Sequence, residues 1–175
     1  MDFYQLAEAR QSCRNFSSTK QPSTEQITAC LEAARVAPSA CNSQPWHFTV
    51  CRGDLARTVA KTTQGMGMNR FTDQVPCFAV VSEEAYSPAA AAGSKIKHQD
   101  FRSLDIGIAV AHFCLAAQEQ GLATCILGWF AEKDLQKALR ITNHIRVVIA
   151  LGIAAEDDTH RPKKRKSLED MADFR

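Results

Sequence analysis

Apolar residues return at i, i+3, i+4 and i+7 as Ile27, Cys30, Leu31 and Ala34, the spacing of one helix face. Ser23-Thr24-Glu25-Gln26 stands before them as a capping box, so a helix starts there and should end before Pro38. Asp2 can accept from the free amides of an earlier helix, predicted to run to about Cys13. Trp46, Phe48 and Val50 alternate with His47 and Thr49, the period of a strand, and Gly53-Asp54 lead into a short helix reaching about Thr63. Pro76 precedes a second strand, Cys77 to Ser82. From Glu83 to Gln99 the chain is rich in Ala, Ser, Pro and Lys without an amphipathic period, which predicts a mobile loop with some helix. Phe101 to Gln120 is apolar on nearly every side and predicts a buried helix at the core, closed by Gly121. A strand at Ala123 to Leu127, a surface helix at Glu132 to Arg140 and a β-branched strand at Ile145 to Leu151 follow, then a polar tail from Ala155. Helices precede any strand, so a regular βαβ order is disfavoured and an α+β sandwich around one central sheet is expected.

At 175 residues, 45% hydrophobic and 23% charged, the chain suits one globular domain. A net charge of +2 does not mark a nucleic-acid binder, and no apolar run approaches the ~20 residues of a membrane span. The start MDFYQLAEAR lacks the form of a secretion signal, so a soluble, cytoplasmic protein is expected. Cysteines at Cys13, Cys30, Cys41, Cys51, Cys77, Cys114 and Cys125 are odd in number and show no CxxC spacing, which fits reduced thiols. The histidines lack HxxxH or HExxH spacing, so no metal site is expected, and His112 reads as a core residue. GxGxxG and the P-loop are absent, and Gly65-Met66-Gly67 has no third glycine in place. A Cys/His hydrolase stays open, because its partners meet only in space.

Four segments carry candidate chemistry. Arg10-Gln11-Ser12-Cys13-Arg14 offers two guanidiniums with a hydroxyl between them, a set that can hold phosphate or simply end a helix in solvent. Pro38-Ser39-Ala40-Cys41-Asn42-Ser43-Gln44-Pro45 confines the backbone between prolines and presents Ser39, Asn42 and Gln44 to a heteroaromatic edge, or caps a turn into the Trp46 strand. Arg161 to Lys166 has five cations in six residues, a polyanion site, a localisation signal or a solvated run. Gly128, after Ile126-Leu127, permits close backbone approach to a planar ligand or makes a plain turn.

In order, these segments resemble the nitroreductase family: PSACNSQPWHF at Pro38 to Phe48, AEARQSCRNF near the start, and the central stretch DIGIAVAHFCLAAQEQGLATCILGWF. The resemblance implies a three-layer sandwich with a mostly antiparallel sheet and a long buried central helix, as a single domain over residues 1–175. It implies FMN at a homodimer interface, reduced by NADH or NADPH and reoxidised in ping-pong fashion by a nitroaromatic, quinone or related acceptor. No protein nucleophile is then needed and no catalytic residue is expected. Arg10 and Ser12 are implied to bind phosphate and ribityl, with Lys163 and Arg165 closing from the C-terminal segment. Arg14 is implied at the N1/O2 edge, Leu127 and Gly128 at the N5 side, and Pro38, Ser39 and Asn42 on the partner's flavin. Asn69, with Arg70, is a further candidate, and the tail from about residue 155 is implied to reach the partner subunit. Gln11 and Ala40 depart from residues often seen in the family.

Other readings remain. The scaffold can host a specialised metabolite reaction. A non-enzymatic protein with a polyanion-binding tail predicts salt-sensitive nucleic-acid binding and no yellow colour. A thiol redox protein predicts a reactive Cys41.

Overall fold

The computed structural model describes residues 1–175. Helix α1 spans Phe3–Ala9 and opens on a reciprocal cap: the Asp2 carboxylate accepts from the Gln5 amide at 2.9 Å, and the Gln5 side chain accepts from the Asp2 amide at 3.1 Å. It stops earlier than the predicted Cys13. Ser12 instead forms a parallel bridge with Thr124, and the Cys13 amide donates to the Thr124 carbonyl at 2.9 Å. A distant strand partner satisfies backbone that a further helical turn would have used.

Helix α2 (Thr24–Arg35) carries the predicted Ser23–Gln26 capping box, and Ile27, Cys30 and Ala34 are its buried face. Strand β1 (Trp46–Arg52) leads through Gly53, at φ +58°, into α3 (Asp54–Thr63). Strand β2 (Cys77–Glu83) is followed by α4 (Pro88–Lys97), a ten-residue helix where a loop with some helix was expected. Ser87 caps it and Pro88 fits its first turn, but only Ala90 is buried, so no apolar stripe announces it. Helix α5 (Phe101–Glu119) ends at Gly121, whose φ of +72° permits the Leu122 amide to bond back to Ala117 at 2.8 Å. Strand β3 (Ala123–Leu127), α6 (Glu132–Leu139) and β4 (Ile145–Gly152) complete the elements.

The four strands lie in the order β1-β2-β4-β3, all antiparallel. Side chains alternate across the sheet, so Phe78 and Val80 pack under α3 and α6, while Cys77, Ala79 and Val81 pack under α2 and α5. The result is the expected three-layer α+β sandwich. Helix α5 is not apolar-buried all round, as the sequence suggested. Ile106, Ala109, Val110, Phe113 and Ala117 enter the core, whereas Leu104 and Ile108 line an open groove of about 810 Å³ with Phe3, Leu6 and Leu115. No helix is long and apolar enough to cross a membrane.

Candidate functional site

After β4 the chain doubles back and runs antiparallel beside its own N-terminal segment. Phe16 bridges Ala154, the Ser17 amide donates to Ile153 at 2.9 Å, and the Ala155 amide donates to Asn15 at 3.0 Å. The Asn15 side chain reaches Asp157 at 2.9 Å, Gln11 engages residues 158, 159 and 161, and the Lys163 ammonium donates to the Ala7 carbonyl at 2.9 Å and to Glu8.

This pairing builds a cavity of about 400 Å³ lined by Arg10, Gln11, Ser12, Arg14, Arg161, Pro162, Lys163, Lys164 and Arg165. Six of these are cations and none is an acid. Arg10, Arg14, Lys163, Lys164 and Arg165 have no ion-pair partner, and Arg161 has only Asp158 at 3.4 Å. Partial burial lowers the Lys163 pKa, and the Arg10 and Arg165 charges push the same way. Such mutual repulsion is relieved by an anion with several acceptor oxygens, and guanidiniums, ammoniums and a hydroxyl match phosphate.

The cavity borders the outer edge of β3, where the N-terminal segment joins it. Ser12 bridges Thr124, and Gly128 lies four residues further along, roughly 13 Å at a strand's rise. Leu127 is buried and Gly128 exposed. Beyond them the Trp129 indole donates to the Gly65 carbonyl at 3.1 Å and the Ala131 amide to Thr62 at 2.8 Å. These bonds fasten the exit of β3 to the turn that carries Asn69, whose side-chain amide bonds to Thr63 at 3.1 Å.

Pro38, Ser39 and Asn42 are not brought to this place. They sit on a separate loop in which Cys41, Asn42 and Gln44 all have positive φ, held from below by α5. The Asp105 carboxylate accepts from the Ala40 amide at 3.1 Å, Ser39 accepts from Gln44 at 2.9 Å, and Ser43 meets Ser87 at the start of α4 at 2.9 Å. None of the three residues lines the cationic cavity or bonds to one that does.

Arg161 and Lys164 line the cavity although only Lys163 and Arg165 were expected from the basic run. Gln11 and Asp105 were missed as site builders; the one sign of Asp105 in the sequence is an acid between Leu104 and Ile106 in an apolar helix. Burial pushes the Asp105 carboxyl above its ordinary value, against the opposing pull of the Ala40 amide. Burial likewise pushes Cys30 and Cys77 up to about 12 and Cys13, Cys51 and Cys114 up to about 11, so these thiols stay protonated. Cys41 is the exposed one.

Comparison with known proteins adds the relatives. The chain is 28% identical to an oxygen-insensitive NADPH nitroreductase of Helicobacter pylori, over 93% of this chain and 92% of that protein. It is 26% identical to an iodotyrosine dehalogenase 1 homolog of Caenorhabditis elegans over 95% of this chain, which spans 59% of that relative's length. Among solved structures, an FMN complex from Exiguobacterium sibiricum assigned to the nitroreductases superposes with a TM-score of 0.83 at 20% identity, covering 100% of this chain and 98% of the other. The profile of the nitroreductase family matches residues 7–153, and by that span the chain belongs to the nitroreductase family.

Proposed function

We propose that this chain is an FMN-dependent oxidoreductase that takes electrons from NADH or NADPH and passes them to a nitroaromatic, quinone or related acceptor. The observation that carries this reading is the cavity of about 400 Å³, lined by six cations and no acid, at the edge of β3. Arg10, Ser12, Lys163 and Arg165 would hold the FMN phosphate, with Arg161 and Lys164 adding charge. Leu127, Gly128 and Asn69 would border the ring, and Arg14, exposed at the rim, supplies a fixed positive charge that favours an anionic neighbour. FMN, when bound, supplies the redox chemistry, which is why the chain needs no nucleophile or acid–base triad of its own.

The loop from Pro38 to Asn42 hangs on Asp105 of α5, the helix that lines the apolar groove, and takes no part in the cationic cavity of its own chain. A second copy seated on that groove would cover Leu104 and Ile108 and present its loop to this chain's ring site. The exposed Leu168, Met171 and Phe174 of the tail are apolar groups suited to such a partner. We therefore infer a homodimer with a shared site, in line with the family resemblance.

Visible absorption of the purified protein, followed by heat release and mass spectrometry of the chromophore, tests the cofactor. Flavin bands with the mass of FMN are expected, and a colourless protein that takes up no FMN overturns the reading in favour of a polyanion-binding role for the basic tail. Arg10→Ala and Arg165→Ala should each weaken FMN binding by about 1.5–3 kcal/mol, the worth of a charge-assisted contact. Turnover is then measured with NADH and NADPH against a nitroaromatic, a quinone and an iodinated phenol, the last because of the dehalogenase-named relative. Rapid flavin reduction without turnover of any of them would leave the oxidoreductase and remove the reductase assignment, pointing to a specialised metabolite reaction.

A further inference from the structure

The two halves of the cationic cavity come from opposite ends of the chain, and residues 156–165 bring no buried apolar side chain to hold them in place. They would be held apart by their own charge, since Arg10, Ser12 and Arg14 face Arg161, Lys163, Lys164 and Arg165 across one cavity. The backbone bonds to Ile153 and Asn15 fix the register of this ribbon only as far as Ala155; beyond it the register depends on polar side chains, Asn15 on Asp157 and then Gln11. Its amide nitrogen donates to the Thr159 carbonyl at 3.4 Å and to the Asp158 carboxylate at 3.5 Å, while its amide oxygen accepts from the Arg161 amide at 3.1 Å. The Asp158 side chain is 7% exposed and also accepts from the Arg161 guanidinium at 3.4 Å. One side chain of the N-terminal half thus touches three positions, 158, 159 and 161, of the C-terminal half on the approach to the cations. On the far side, Lys163 places two of its three donors on the carbonyls that end α1, leaving one for an anion.

We propose that Gln11 and Asp158 form a latch that sets the register of the C-terminal strap on the N-terminal segment, so that docking of residues 156–165 and capture of a phosphate group are one coupled equilibrium. This rests on the FMN reading above and assigns within it two positioning residues that need not touch the ligand. A glutamine is suited to position 11 because the latch needs a donor and an acceptor on one planar group: Thr159 and Asp158 take the donor, and the Arg161 amide needs the acceptor. Gln11→Glu keeps the shape and the acceptor, loses the donor, and sets a second carboxylate beside Asp158.

The test compares FMN with riboflavin, which has the same ring and ribityl chain without the phosphate. Flavin affinities are measured by fluorescence titration on the flavin-free native protein and on Gln11→Ala, Gln11→Glu and Asp158→Asn. Amide hydrogen exchange of residues 156–165 is followed with and without inorganic phosphate. In the native protein FMN should bind more tightly than riboflavin, and phosphate should slow exchange in the strap. Gln11→Ala should weaken FMN binding about three- to tenfold, the loss of one or two neutral hydrogen bonds. Gln11→Glu should weaken it further. Riboflavin affinity should stay at the native value in every variant, and phosphate should no longer protect the strap. Variants that lose FMN and riboflavin affinity in equal measure, or that keep native FMN affinity and strap protection, overturn the latch while leaving the cofactor reading intact. A native protein that binds FMN no better than riboflavin removes the phosphate assignment and the latch with it.

Discussion

Gly152 closes β4 opposite Ala123, and the reason for a glycine there is space rather than backbone freedom. A Cβ at this position would lie 2.8 Å from the Phe16 ring and 3.0 Å from the Pro76 ring. Phe16 is buried and stacked on Phe71, with ring centroids 6.3 Å apart, so it cannot swing aside. Gly152→Ala should cost about 1–3 kcal/mol in urea unfolding through overpacking. Because Phe16 belongs to the ribbon that builds the cavity, FMN affinity should fall as well. Asp105 makes a different claim at the same scale. Its folded pKa is raised by burial, so the folded chain holds this proton to higher pH than the unfolded chain does. The stability it contributes is complete below the ordinary value of 3.8 and is lost as pH rises through the raised folded value. Asp105→Asn keeps an acceptor for the Ala40 amide and removes the buried charge. Its melting temperature should gain on the native protein as pH goes from acid to neutral, and a constant difference across that range would show that Asp105 carries no such linkage. Asp105→Ala leaves the Ala40 amide without its acceptor and should cost about 1–3 kcal/mol.

Elements that end or begin on local chemistry were legible, and elements set by distant partners were not. The Ser23 box, the alternation from Trp46 to Val50 and the glycine after α5 are written in adjacent residues, and the structure places α2, β1 and the end of α5 there. Helix α1 stops at Ala9, short of the predicted Cys13, and nothing near Ser12 tells of Thr124, more than a hundred residues away. Only some helix is predicted where α4 stands, because a helix that buries only Ala90 has no stripe to show. An ionic cluster joins the two segments that flank α4. Glu83 at the end of β2 pairs with Arg146 and with Arg102 at 3.2 Å, and Arg146 continues to Asp100 at 2.9 Å. The Arg102 guanidinium lies 4.5 Å from the centre of the Tyr86 ring, and its Nε is buried without a hydrogen bond. Glu83 is thus the shared anion for two arginines, one of which already carries an unpartnered Nε. Glu83→Gln should lower stability by about 1–3 kcal/mol, less than the ~3–5 kcal/mol of a fully buried pair because both arginines keep some solvent. Exchange of the α4 amides should quicken more than that of the α5 interior. Equal quickening in both helices would mean that the cluster supports the fold at large and not α4.

For the whole molecule, the site was legible in its chemistry and illegible in its assembly. Arg10, Ser12, Arg14 and the basic run each have a bland reading alone, and only the folded chain sets them around one cavity. Gln11 could not be found from sequence because its role is to bridge residues about 150 positions away, and Pro38 to Asn42 join nothing in the cavity of their own chain. The apolar excess of α5 has the same origin. The pattern predicted a helix buried on nearly every side, yet one chain buries only part of it, leaving Leu104 52% and Ile108 38% exposed in the groove. A second copy seated on this groove would bury Leu104 and Ile108 and complete the ring site with its own loop. Ile108→Glu puts a charge in that groove, outside the cationic cavity and at a solvent-facing position of a single chain. Folding of the monomer should therefore survive, with a melting temperature close to native, while the contact between copies does not. Sedimentation should show a dimer for the native protein and a monomer for the variant. FMN affinity should drop more than about tenfold in the variant, and in the native protein it should fall on dilution below the dimer dissociation constant, because a ligand held by both copies links binding to assembly. A monomeric variant that retains native FMN affinity would place the whole flavin site within one chain and free the loop from Pro38 to Asn42 of any part in it.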